Sequence, residues 1–163
     1  MSASVSVIVD RSGDVDFIKN TIDVLKDFKI EYELKILSAH RTPRRVAEFA
    51  QEARMRGIKV IIAASAGAAH LAGFTAAHTI LPVIGVPVPT KHLDGMDSLL
   101  STVQMPTGIP VATVGIGESG AKNAALLAIE ILALSDKNTS RKLETFRVVL
   151  EEKVARDNKE IGG

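Results

Sequence analysis

Five short apolar runs recur along this chain, and each is followed by a stretch with helical spacing. Few folds accommodate that alternation. Val5 to Val9 reads as a first strand, and Val15 to Phe28 as a helix with Ile18, Ile22 and Leu25 on one face. Tyr32 to Leu37 reads as a second strand. Pro43 suits the first turn of the next helix, where its missing N–H is not needed. Val46, Phe49, Ala50 and Ala53 give that helix its buried stripe, and Gly57 ends it. Ile58 to Ala64 is apolar nearly throughout, as in a parallel central strand covered on both faces. A small-residue helix is expected from Ala68 to His78 and a fourth strand from Leu81 to Val86. Pro87-Val88-Pro89 reads as an extended loop. A short helix over Gly95 to Val103, a fifth strand over Pro110 to Gly115 and an apolar helix over Ala121 to Leu134 follow. Asn138 to Ala155 closes the chain as a long helix with Leu143, Phe146, Leu150 and Val154 as its stripe. The expectation is an α/β three-layer sandwich with a parallel, flavodoxin-like sheet and a long C-terminal helix. The 163 residues suit a single domain spanning 1–163. The helix Ala121–Leu134 is apolar almost all round, which calls for burial on several sides and points to a homo-oligomer.

Composition removes several function classes. Aromatics are 4% of the chain, with no Trp, so base-stacking platforms for nucleic acid are not expected. A net charge of +1 builds no field for a polyelectrolyte. There is no cysteine, which excludes disulfides and thiolate sites. No apolar run reaches membrane-spanning length and no signal-peptide pattern opens the chain, so a cytoplasmic location without membrane contact is expected. The four histidines show no zinc-enzyme spacing, so no metal is expected.

The chemistry collects at strand ends. Ser38-Ala39-His40-Arg41-Thr42-Pro43 follows the second strand. There, an imidazole that titrates near neutrality sits beside a guanidinium that clamps phosphate or carboxylate. A capping or loop-bonding role for His40 weighs equally on residue type alone. Gly67-Ala68-Ala69-His70-Leu71 follows the third strand. Its small residues let a ligand approach the backbone, or simply serve tight helix–sheet contact. Asp10-Arg11-Ser12-Gly13-Asp14 follows the first strand. Asp14 there suits either ribose hydroxyls or an N-cap for the next helix. His78 and His92 are poorer candidates.

Together these segments resemble the class I 5-(carboxyamino)imidazole ribonucleotide mutase family. So do Pro82 to Val88, Asp97-Ser98-Leu99-Leu100-Ser101, Val103-Gln104-Met105-Pro106, Gly108 to Thr113 and Ala121 to Ala128. The match runs from Val5 to Phe146. The resemblance implies a flavodoxin-like subunit of a homo-octamer with active sites at subunit boundaries. It implies an anionic nucleotide substrate and no cofactor. The reaction moves a carboxylate from an exocyclic nitrogen to the neighbouring ring carbon. Carried over, His40 is the general acid and base and Arg41 clamps the phosphate. Ser38 and Asp14 contact substrate, and Ala66, Gly67, His70 and Leu71 belong to the loop that borders the carboxylate. The Gly67-to-Leu71 segment follows the mutase pattern rather than that of the form using free CO2.

Two loops depart from the family. Gly-Ser-x-Ser-Asp is replaced by Asp10-Arg11-Ser12-Gly13-Asp14, which leaves Arg11 and Ser12 to supply the lost serine contacts. Asp10 would repel a phosphate unless Arg11 compensates. Ala64 and Ala66 stand where the family has glycine, with strain expected if either needs positive φ. A pocket retuned to another heterocycle, or an inactive scaffold of the same fold, are the alternatives these departures leave.

Overall fold

A computed structural model describes residues 3–162. They fall into two compact units, the first ending at Ala128 and the second beginning at Ile129.

The first unit carries a five-stranded, all-parallel sheet: β1 (Val5–Val9), β2 (Tyr32–Ile36), β3 (Val60–Ala66), β4 (Val83–Val88) and β5 (Ala112–Thr113). The spatial order is β2-β1-β3-β4-β5, the flavodoxin-like order that the family resemblance implies. β1 and β4 are buried at every position and β3 at all but its last, because helices cover both faces of the sheet centre. β2 lies at the edge, and there Leu34 and Ile36 stay exposed. The helices of this unit are α1 (Val15–Asp27), α2 (Pro43–Ala53), α3 (Leu71–Ala76) and α4 (Met96–Val103), and α5 (Glu118–Ala133) begins in it. The α2 stripe of Val46, Phe49, Ala50 and Ala53 packs in one cluster with Ile8, Ile61, Leu71 and Val83. Each fully buried Ile or Leu there contributes roughly 1.5–3 kcal/mol. Within the same unit the Thr21 hydroxyl donates to the Ala121 carbonyl at 2.7 Å, tying α1 to the first turn of α5.

The second unit holds the end of α5 and α6 (Lys137–Glu160). Asp136 caps α6, accepting from the backbone N–H groups of Asn138 and Thr139. The expected α6 stripe is covered only in part. Leu143 and Phe146 are half-buried, whereas Leu150 and Val154 are exposed.

Several boundaries differ from the sequence expectation. β3 starts at Val60, not Ile58, because the Ile58 N–H returns to the Ala53 carbonyl to close α2. α3 is shorter than Ala68–His78. His70 N–H bonds the Ala68 carbonyl in a tight turn before the helix, and His78 lies beyond its end. β4 runs to Val88 and so includes Pro87, which pairs with Ser65 on the β3 side. The missing N–H of Pro87 is tolerated because β5 pairs only with Ile84 and Gly85. Among the described residues, no helix is long and apolar enough to cross a membrane.

Candidate functional site

The strand order places the carboxyl ends of β1, β2 and β3 side by side. The reversal of connection between β1 and β3 opens a crevice where ligands bind in such sheets. Three loops meet there: residues 10–14, 38–42 and 67–70.

The 38–42 loop is held from within. Thr42 Oγ1 donates to the Ser38 carbonyl at 3.1 Å and accepts from the Ser38 N–H at 3.0 Å. Ser38 Oγ accepts from both the N–H and Nε of Arg41, each at 3.2 Å. That knot turns the buried Ser38 inward and presents His40 to solvent.

His40 and His70 come together across the crevice. Nε2 of His40 lies 2.7 Å from Nδ1 of His70, with ring centroids 4.9 Å apart and an edge-on arrangement. Such a contact needs one N–H and one bare nitrogen, so a single proton lies between these two nitrogens. Nε2 of His40 is thus engaged by another imidazole.

The third loop is braced from below by α4. Gly67 adopts φ +69°, a conformation that favours glycine. Its N–H donates to Ser98 Oγ at 2.8 Å, and that hydroxyl donates on to the Val88 carbonyl at 2.7 Å. Ser101 Oγ donates to the Gly67 carbonyl at 3.2 Å. Asp97 Oδ1 accepts from the Thr90 hydroxyl at 2.8 Å. The sequence reading missed these supports. The available signal was the i, i+3 spacing of Ser98 and Ser101, which puts both hydroxyls on one helix face. Leu71 is buried at the start of α3, beneath the loop.

Ala64 and Ala66 lie within β3, in register with Val9 and Val88. Neither adopts positive φ; among the described non-glycine residues only Lys29 and Asp94 do. The alanine substitutions therefore cause no backbone strain.

The first loop is arranged differently from expectation. Asp14 does not cap α1 with its side chain; a short 3₁₀ turn over Ser12–Asp14 precedes the helix. Its nearly buried carboxylate instead accepts from Arg11 Nε through Oδ1 at 2.9 Å, while Oδ2 is buried without a hydrogen-bond partner. The hydrogen bond that Arg11 donates to Asp14 holds the guanidinium above its usual pKa. Arg11 is therefore engaged with Asp14, and Asp10 is met by Arg41 instead. Arg41 Nη2 donates to the Asp10 carbonyl at 2.7 Å and lies 3.1 Å from Oδ2. Ser12 is exposed. No cluster of three or more metal-ligating side chains occurs among the described residues.

The family described as AIR carboxylase matches residues 4–153. The chain belongs to the AIR carboxylase family. It is 54% identical over 147 residues to a Bacillus subtilis protein named N5-carboxyaminoimidazole ribonucleotide mutase, covering 90% of this chain and 91% of that protein. A Pyrococcus abyssi protein of the same name is 55% identical over 143 residues, covering 88% and 81%. The crystal structure of Treponema denticola PurE superposes with a TM-score of 0.88 at 28% identity, covering 98% of both chains. That agreement extends this family member's likeness from sequence to the parallel sheet itself.

Proposed function

We propose that this chain converts 5-(carboxyamino)imidazole ribonucleotide into 4-carboxy-5-aminoimidazole ribonucleotide. The observation that carries the reading is the 2.7 Å contact between His40 and His70, at the crevice of a sheet whose relatives are named as this mutase.

The chemistry follows from what an imidazole can do. Cleavage of the N–CO2 bond leaves its electron pair on the exocyclic nitrogen, which needs a proton. His40 supplies it. CO2 then forms a bond to the adjacent ring carbon, and the proton on that carbon leaves to the now neutral His40. The proton count balances, and the ring returns to its starting state. Positioned proton transfer of this kind contributes about 10²–10⁴-fold. His70 Nδ1 accepts from the protonated His40 Nε2 before substrate arrives, and His70 borders the migrating carboxylate. Arg41 receives the phosphate, Ser38 and Asp14 contact the nucleotide, and Arg11 and Ser12 flank it. Ala66, Gly67 and Leu71 shape the wall beside His70. An anionic nucleotide is thus the substrate, in keeping with a cytoplasmic biosynthetic enzyme.

On this chain both His40 and His70 are exposed. Retaining CO2 requires water and open solvent to be shut out, so something must cover them. We assign that cover to neighbouring copies in a homo-octamer. Met96, Leu100 and Val103 form an exposed apolar stripe on α4, and Val148, Leu150 and Val154 are exposed on α6. Exposed apolar surface of this extent suits subunit contact. The alternatives of another heterocycle or an inactive scaffold rested on the altered loops, and Ala64 and Ala66 are accommodated without strain.

The test is direct. Purified protein given the carboxyamino nucleotide must form the carboxylated isomer without added bicarbonate. Inert protein, under conditions where the Bacillus subtilis relative turns over, refutes the reading.

A further inference from the structure

We infer that Asp10 is a specificity-determining residue: its carboxylate competes with the substrate's phosphate for Arg41 and sets how tightly a dianionic end is held. The inference rests on the proposed role of Arg41 as the phosphate clamp.

Asp10 stands where the family resemblance places glycine. Asp10 is fixed by its N–H, which bonds the Ala64 carbonyl at 3.2 Å and extends the β1–β3 ladder by one residue. Its carboxylate therefore stays at the mouth of the crevice. Arg41 is held along one edge by three acceptors from two residues, Ser38 and Asp10. Ser38 Oγ takes Nε, the Asp10 carbonyl takes Nη2 at 2.7 Å, and Asp10 Oδ2 lies 3.1 Å from the same nitrogen. Only the last of these acceptors is charged. The two neutral acceptors suffice to aim the guanidinium, so the carboxylate adds charge rather than orientation.

Arg11 offsets that charge only at a distance, because its Nε is bonded to Asp14 at 2.9 Å. The loop thus carries two carboxylates against two guanidiniums, a neutral balance where a phosphate has to bind. The Arg41 side chain is 63% exposed and that of Asp10 21%, and a pair this open is weak enough for a phosphate to displace. A phosphate ester with its ~1.5 to 2 negative charges has to push Asp10 aside or share Arg41 with it. A ligand without that group meets no such competition.

The experiment compares Asp10→Asn with the unaltered protein. Asparagine keeps an acceptor oxygen and leaves the main-chain carbonyl in place, so the charge is removed at nearly constant shape, with one oxygen exchanged for an amide donor. One charge at ~4 Å in water changes affinity about fivefold. The expected result is a KM for the carboxyamino nucleotide, and a Ki for inorganic phosphate, each lower by about that factor at low salt, with the shift in KM and not kcat. The gain shrinks in ~1 M salt, where screening reaches ~3 Å. Inhibition by the corresponding nucleoside, which lacks phosphate, stays unchanged. A KM that is unaltered or higher in Asp10→Asn overturns the inference. Arg41→Gln separates the two levels. If it raises KM while Asp10→Asn does not lower it, the Asp10 inference alone fails. If it leaves KM unaltered, the phosphate role of Arg41 fails and the inference with it.

Discussion

Ser98→Ala removes the one hydroxyl that links α4, β4 and the Gly67 loop. Ser98 is fully buried, and its oxygen both accepts from Gly67 N–H at 2.8 Å and donates to the Val88 carbonyl at 2.7 Å. Alanine strands a donor and an acceptor together. An orphaned buried polar group costs about 1–3 kcal/mol, so the pair is expected to cost about 2–4 kcal/mol. Ser101→Ala is the internal control. Its hydroxyl makes a longer, 3.2 Å bond to the Gly67 carbonyl and is half-buried, so water replaces it and the loss stays near ~1 kcal/mol. Equilibrium urea unfolding of the three proteins at pH 7, with m-values compared, measures both losses. Turnover should fall further in Ser98→Ala than in Ser101→Ala, because Gly67 leads directly to His70. A Ser98→Ala loss under ~0.5 kcal/mol, or one no greater than that of Ser101→Ala, refutes the bracing role.

Two further outcomes follow from features away from the histidines. Gly120 lies in the first turn of α5, where a Cβ would collide with the Gly115 carbonyl oxygen. Gly120→Ala is therefore expected to lose about 3 kcal/mol in urea unfolding, and a loss below ~1 kcal/mol contradicts that close approach. Glu33 feels burial, which works against its ionisation. The hydrogen bonds from Ser6, Lys35 and Arg56 outweigh that burial and hold its carboxyl below the ordinary 4.5. A depressed folded-state value gives stability that is complete above 4.5 and disappears as pH falls through the lower value. Glu33→Gln should thus flatten the acid side of the stability–pH curve, and an unchanged acid slope refutes the assignment.

The alternation of apolar runs with helical spacing was enough to read a parallel sheet covered by helices, whereas the strand order came from the family resemblance and not from periodicity. Burial of β1, β3 and β4 on both faces leaves a continuous apolar signature. Boundaries were less legible because hydrogen bonding, not hydrophobicity, sets them. Ile58 is as apolar as any strand residue, yet its N–H closes α2. Pro87 reads as a strand breaker, yet it sits where β4 has no β5 neighbour. At the site, His40, Arg41, Ser38 and His70 were legible as polar residues at strand ends. That the two histidines and Arg41 could meet at this edge was legible too, whereas the direct ring contact of His40 with His70, thirty positions apart, was not. The sequence suggested Arg11 as the partner of Asp10. The fold gives Asp10 to Arg41 because β1 and β2 are neighbours whose ends lie side by side.

The central claim is that the imidazole of His40 carries the proton of the carboxylate shift. Single-turnover conversion of the carboxyamino nucleotide by His40→Asn, with urea unfolding run in parallel, measures it most directly. The account predicts a rate lower by about 10²–10⁴-fold in a protein of unaltered unfolding midpoint. Conversion within a few-fold of the unaltered protein would contradict it.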